Sequence, residues 1–387
     1  MGRSSLAVAL VLASSVLGGC ASTLRAPATP AATAPTVVHP VIVTPTDVTT
    51  EPELAARAER ALVEQRWLDA VEAYRTLVAA NPTPEHAAEY LFDLGLALEG
   101  AQLRGEARDA FLDVARRFPD GPRARSALVR AASLDAYLED WGALSAIGDA
   151  LLARTDLADL DRLVALGARG LSLIELGDDV AASRDIYDGL ELADRLHYGA
   201  RDVLPVAVAE LRFALGELRR VRSERIVFDP LPSDFVDELE ERCGGLLAAQ
   251  QSYAMAVRSI DPHWAAMSGY RVGEMYRRLH DELVRIPPPS ASKTTEQKDV
   301  FYAFLHVRYR VLLEKGLRQI DQTLALGERI NDTSAWVQRA RAARDAMQAA
   351  LDEEKARMAR MPFKEEDIGT ALELLRKKTL AQASKGK

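Results

Sequence analysis

One stretch limits the fold more than any other: Ala88 to Pro119, AEYLFDLGLALEGAQLRGEARDAFLDVARRFP. Leu91, Leu94, Gly95 and Leu98 recur at three- and four-residue steps, which places them on one face of a helix. Gly105 marks a turn. Ala107, Phe111 and Val114 then mark the buried face of a second helix, and Pro119 stops it. Two short amphipathic helices cannot hide their apolar faces against each other alone, so further helices must stack on them. The rest of the chain has to supply those neighbours.

It does so first in Glu51–Pro84, which aligns with Ala88–Pro119 at an offset of 37 residues. Ala70 falls on Ala107, Tyr74 on Phe111 and Pro82 on Pro119, while Leu54, Ala58 and Ala61 occupy the first helix. The Leu94-Gly95 pair, Ala107, the aromatic Phe111 and the closing Pro119 together resemble the tetratricopeptide repeat (TPR). The resemblance implies an all-α, right-handed α-solenoid of TPR-like helical hairpins. It places Gly95 where the two helices of a hairpin cross closely.

A third hairpin is expected over about Pro122–Ala153, with Trp141-Gly142 at its turn. A fourth is expected over about Leu157–Leu196, with Leu166-Gly167 as its Leu-Gly pair, Gly177-Asp178-Asp179 as its turn, and Ala182 and Ile186 on its second helix. Val203–Val221 is another amphipathic helix. Ile226–Pro232 (IVFDPLP) interrupts the pattern, because two prolines forbid a helix through it. Ala249, Tyr253 and Ala256 then match a second helix, and Val272-Gly273 with Tyr276 a first helix. A polar loop, Ile286–Lys298, precedes a long helix over Asp299–Leu326. Asp332 or Thr333 caps a further helix to about Met358, and a short helix over Asp367–Lys378 leads into a tail whose last charges (Arg376, Lys377, Lys378, Lys385, Lys387) are all basic. The expected segments are residues 51–225 as TPR-like repeats, 226–362 as a degenerate TPR-like helical region, and 363–387 as a short helix with a basic tail.

The amino-terminal segment has a different logic. Arg3 gives a short positive region, Leu6–Leu17 is an apolar core of twelve residues, and Leu17-Gly18-Gly19-Cys20 follows. That core is short of the roughly 20 residues a membrane span needs. The pattern resembles a bacterial lipobox, which implies a signal peptide over 1–19, lipid attachment at Cys20, and an anchor of two or three acyl chains. Ala21 rather than Asp after the Cys implies, by the same resemblance, sorting to the outer membrane on its periplasmic side. Residues 20–50, with five prolines among Ala, Thr and Val, are expected to be a tether, able to extend on the order of 90 Å at about 3.1 Å per residue. Cys243 is the second of only two cysteines. It is expected on a helix face as a small apolar residue, with an intermolecular bridge as the other reading.

Composition excludes some functions. Ala, Leu, Arg, Glu and Asp dominate, aromatics make up 6% of the 387 residues, and the formal charge is −8. No basic stripe is present to displace counterions, so nucleic acid is not an expected partner. None of the six histidines (His39, His86, His197, His263, His280, His306) stands at metal-ligand spacing, and no phosphate-cradling Gly loop or GxSxG elbow occurs. No catalytic, cofactor or metal residues are assigned, and no enzyme is expected. The TPR resemblance implies an inner face lined by first-helix positions: Glu59 and Leu62, then Phe92, Leu96 and Glu99, then Tyr270, Glu274, Arg277 and Arg278. The expected function is a non-catalytic protein–protein scaffold serving an envelope machine of assembly, secretion, motility or cell-wall adaptation. Its partners would be envelope or periplasmic proteins, with the membrane reached through the lipid. Two alternatives stay open: a ligand-binding or enzymatic helical domain in residues 233–330, and a structural spacer in a large envelope complex.

Overall fold

A computed structural model describes residues 50–80, 82–198, 203–259, 261–289, 292–329, 334–361, 364, 367, 368 and 370. The expected signal peptide with Cys20, nearly all of the expected tether, the expected Asp332/Thr333 cap and the basic tail lie outside the described residues. The described residues form an all-α stack of thirteen α-helices. They are α1 Glu51–Val63, α2 Trp67–Ala79, α3 Pro84–Gly100, α4 Arg104–Arg117, α5 Ala124–Leu138, α6 Trp141–Leu152, α7 Asp159–Glu175, α8 Asp179–Arg195, α9 Val206–Glu224, α10 Phe235–Ala256, α11 Pro262–Leu283, α12 Thr295–Arg329 and α13 Ala335–Ala359. Each helix packs on the next in sequence. The odd-numbered helices from α5 onward also pack on one another, α5 on α7, α7 on α9, α9 on α11 and α11 on α13. The unit is thus a paired hairpin, with the first helices of successive pairs forming one layer.

The first four hairpins are closed by the same backbone device. Gln65, Gln102, Glu139 and Gly177 have φ of 58°, 63°, 60° and 91° and sit in the turns of the first four pairs, at intervals of 37, 37 and 38 residues. A single left-handed residue reverses the chain between helices, a conformation most readily adopted by Gly. The following helices start on side-chain caps where the sequence supplies them: Asp140 Oδ1 accepts from Ala143 N at 3.2 Å, and Asp178 Oδ1 from Ala181 N at 3.0 Å. Trp141 therefore opens α6 rather than lying in the turn, because Asp140 caps the helix one residue before it.

In the second, fourth, fifth and sixth hairpins, a glycine on the first helix receives a large side chain from the second. A Cβ built on Gly95 would stand 2.6 Å from Phe111 Cε1. The same clash arises for Gly170 with Ile186 at 2.8 Å, Gly216 with Tyr253 at 2.6 Å, and Gly273 with Ile320 at 2.5 Å. The crossing glycine of the fourth hairpin is thus Gly170, not Gly167. Gly167 faces Glu210 and Leu211 of α9 instead. Of the apolar positions read on these helices in the first two hairpins, Ala58, Ala61, Ala70, Tyr74, Leu77, Leu91, Leu94, Leu98, Ala107, Phe111 and Val114 are at most 8% exposed, and Leu54 is half-buried. One apolar cluster runs continuously from Ala58 to Val337, and a smaller one joins α12 to α13 through Leu313, Ile320, Ala340 and Met347.

Two further local features differ from the sequence reading. Ile226–Pro232 lies between α9 and α10, which pack against each other, so it is the turn of a fifth hairpin. The long helix α12 begins at Thr295, four residues before Asp299. Thr294 Oγ1 accepts from Gln297 N at 3.2 Å while Gln297 Oε1 accepts from Thr294 N at 3.1 Å, a reciprocal cap that starts the helix inside the polar segment. Among the described residues no helix is long and apolar enough to cross a membrane. Cys243 is a free, half-buried thiol on α10.

Gly95→Leu drives a side chain into the Phe111 ring, and overpacking of this kind costs about 1–3 kcal/mol. The thermal midpoint is expected to fall accordingly. An unchanged midpoint would contradict the crossing geometry.

Candidate functional site

The layer of odd-numbered helices is where a repeat stack ordinarily meets a partner. From α5 onward this layer is occupied by the protein's own side chains. Tyr137, near the end of α5, stacks on His263 at the start of α11, with centroids 4.1 Å apart and planes at 24°. The Arg104 guanidinium lies 3.8 Å over the other partner of that stack, the Tyr137 ring. Glu139, in the turn after α5, pairs with Arg339 of α13 at 2.8 Å, joining points 200 residues apart in sequence. Tyr270 of α11 packs on Trp336 of α13 with centroids 5.5 Å apart.

Behind these contacts runs a ladder of alternating charge. Glu175 of α7 accepts from Arg271 Nη2 of α11 at 3.3 Å. Arg271 Nε is 3.0 Å from Glu217 Oε1 of α9. Glu217 also pairs with Arg220, which donates to Glu224 Oε2 at 2.7 Å, and Glu224 in turn pairs with Arg278 of α11 at 3.0 Å. The Tyr253 hydroxyl of α10 donates to Glu217 Oε1 at 2.6 Å. Glu217 is fully buried. Burial would raise its carboxyl, but Arg271 and Arg220 outweigh that and hold it below its ordinary value. Burial raises the Glu175 carboxyl, helped by the Glu217 charge.

Two further buried ionisable groups lack such compensation. Burial lowers His263 to about 3, and neither ring nitrogen has a hydrogen-bond partner, so it is a neutral aromatic plate. Glu210 of α9 is 2% exposed, and burial together with the Asp261 charge raises it to about 8. Its Oε1 has no hydrogen-bond partner.

The residues expected to line the inner face are placed as follows. Glu59 is exposed; Leu62 and Leu96 are half-buried against the core. Phe92 is 5% exposed and meets Phe111 edge-on at 5.4 Å, beneath the Arg123 guanidinium at 4.8 Å. Glu99 is half-exposed and accepts from Arg130 at 2.7 Å. In the later pair, Tyr270 is held by Trp336, Glu274 pairs with Arg277 at 2.7 Å, Arg277 donates to Asp281 at 2.9 Å, and Arg278 ends the ladder.

Residues 233–330 contain a cavity of about 240 Å³ between α10, α11 and α12, lined by Gln250, Tyr253, Ser268, Gly269, Val272 and Thr323 among others. Its titratable lining is Tyr253 and Arg329, with no carboxylate. The chemistry-bearing convergence lies elsewhere. His280 of α11, His306 of α12 and Glu354 of α13 offer ligand atoms that all lie within 4.8 Å of one another. Burial would raise the Glu354 carboxyl, but hydrogen bonds from both histidines outweigh it and lower it to about 2. Sequence reading missed this cluster because its members stand 26 and 48 residues apart on three helices. No spacing motif covers such distances.

No protein-family model matches the chain, and no curated protein matches it. Among solved structures it is similar to a tetratricopeptide repeat protein from Parabacteroides merdae ATCC 43184, at 13% identity and a TM-score of 0.43, over 77% of this chain and 98% of that one.

Two outcomes are expected here. Arg271→Met leaves Glu217 with less compensating charge in a buried site, at a cost of about 3–5 kcal/mol, and chemical denaturation of the variant checks it. Glu210→Gln removes a carboxyl whose folded value lies above its unfolded one. The folded wild type therefore binds the extra proton between about pH 4.5 and 8, and its stability relative to the variant falls as pH rises through that window. Thermal midpoints of the two proteins should diverge progressively up to about pH 8, with the variant the more stable.

Proposed function

We propose that this chain is a non-catalytic scaffold for protein–protein interaction. In this reading Cys20 is lipidated, and the helical body serves an envelope machine from the periplasmic side of the outer membrane. One observation carries the choice of binding face. From α5 to α13 the inner layer is spent on self-contact, through Tyr137–His263, Glu139–Arg339 and the Glu175–Arg271–Glu217 ladder. The first helices of the first two hairpins keep a polar and two half-buried apolar positions available, with Glu59 exposed and Leu62 and Leu96 part-exposed, while Glu99 is held by Arg130. A partner segment is therefore received on α1 and α3, where it finds apolar side chains bordered by carboxylates. Tyr270, Glu274, Arg277 and Arg278 act chiefly to hold α11 in place.

The anchor rests on Leu17-Gly18-Gly19-Cys20, and the sorting on Ala21. A lipidated amino terminus and a Pro/Thr-rich tether suit a body that must reach a partner at some distance from the bilayer.

The test is photo-crosslinking in intact envelopes, with the crosslinker at position 59 or 96 and, for comparison, at 277. Adducts with an envelope protein at 59 and 96, and far fewer at 277, are expected. Cys20→Ala should move the chain out of the outer-membrane fraction and reduce the adducts. Equal labelling at all three positions would overturn the assigned face. Unchanged fractionation of Cys20→Ala would overturn the anchor.

A further inference from the structure

The structure assigns His280, His306 and Glu354 to a binding site for one borderline divalent cation of the zinc type, a site that bridges α11, α12 and α13. Three observations carry it. The ligand atoms come from three helices and converge within 4.8 Å. His280 Nε2 and His306 Nδ1 both address the same atom, Glu354 Oε1, at 2.8 and 2.7 Å, while the buried Glu354 Oε2 has no hydrogen-bond partner. The remaining nitrogen of His280, Nδ1, lies 3.1 Å from Asp281 Oδ1, and Asp281 is itself held by Arg277 at 2.9 Å.

The chemistry fits a particular class of ion. Two imidazole nitrogens and a carboxylate oxygen suit zinc and its neighbours and disfavour calcium or magnesium, which prefer all-oxygen sets. A carboxylate behind a ligating imidazole is the usual outer support, fixing ring orientation and tautomer. Zinc bonds nitrogen and oxygen at about 2.0–2.2 Å, so the two close contacts must open to roughly 3.3 Å for tetrahedral placement. When the ion enters, His280 gives up its Nε2 proton to solvent and keeps the Nδ1 proton toward Asp281, while His306 loses its Nδ1 proton and takes one from solvent on Nε2 once Arg357 has moved away, so that the cation replaces both protons facing Glu354. Three protein ligands leave one position for water or for a side chain brought by a partner.

One neighbour opposes the ion. Arg357 Nη1 is 2.9 Å from His306 Nε2 and donates to it, which requires the ring proton on Nδ1, the atom the metal needs. Arg357 is 45% exposed and already reaches Glu353 at 3.3 Å, so it can swing to that carboxylate. Arg310 Nε stands 3.8 Å from Glu354 Oε2 and adds positive charge on the same side. Arg357 and the cation therefore compete for His306.

That competition gives the test a readout that a purely structural hydrogen-bond cluster would not produce. The full chain is stripped with a chelator, dialysed against zinc chloride and assayed for metal by mass spectrometry, with cobalt absorption as a second probe. About one equivalent of zinc is expected to be retained by the wild type. His306→Gln and Glu354→Gln should lose it, and Arg357→Ala should bind roughly tenfold tighter, the lower range of outer-group effects. His306 is part-exposed and Arg357 lies at the surface, so both variants should fold, as circular dichroism will report. Retention of less than one equivalent by the wild type overturns the site. So does retention that His306→Gln leaves intact, or an Arg357→Ala variant with no gain in affinity.

Discussion

The structure depends on a single repeated contact, in which a first helix yields a glycine where the second helix brings a ring or a branched chain. Phe111 on Gly95, Ile186 on Gly170, Tyr253 on Gly216 and Ile320 on Gly273 are four instances of it. Because the knob enters at the backbone, the two helices approach closely and dispersion contacts replace what would be a void. Close packing within these four hairpins follows. The left-handed residues at 65, 102, 139 and 177 set the reversal between helices at nearly constant chain length. Regular spacing of turn and crossing is what lets neighbours dock without a separate core for each pair.

Stacking alone leaves the inner layer open, and here the chain fills most of it. The ladder from Glu175 through Arg271, Glu217, Arg220 and Glu224 to Arg278 is buried in its middle and exposed at its end. Buried charges are costly unless paired, and this ladder leaves each of its buried charges with an opposite partner. Glu139–Arg339 and Tyr137–His263 complete the closure. This closure begins at α5, and α1 and α3 lie outside it.

Much of the helical architecture was legible in the sequence. The 37-residue offset of Ala70, Tyr74 and Pro82 onto Ala107, Phe111 and Pro119 located the first two hairpins, and burial of those apolar faces follows from their period. Three details escaped for identifiable reasons. Gly167 and Gly170 both lie on the buried side of α7, and only the position of Ile186 separates the crossing residue from the one facing α9. Thr294 and Gln297 form a recognisable cap signature, yet the prolines before them read as a continuing loop. Asp140 caps α6, which moves Trp141 from the turn into the helix.

What the sequence determined by itself is the unit: the helix faces, the turns and the requirement that pairs stack, because these depend on residues within about one repeat of each other. The candidate site was hardly legible. Glu139 with Arg339, Arg271 with Glu175, and His280 with His306 and Glu354 are meetings between residues from 26 to 200 positions apart. Each residue alone looks like an ordinary charge or imidazole on a helix. The tertiary structure decided those partners, since side chains so distant along the chain meet only once their helices have packed on one another.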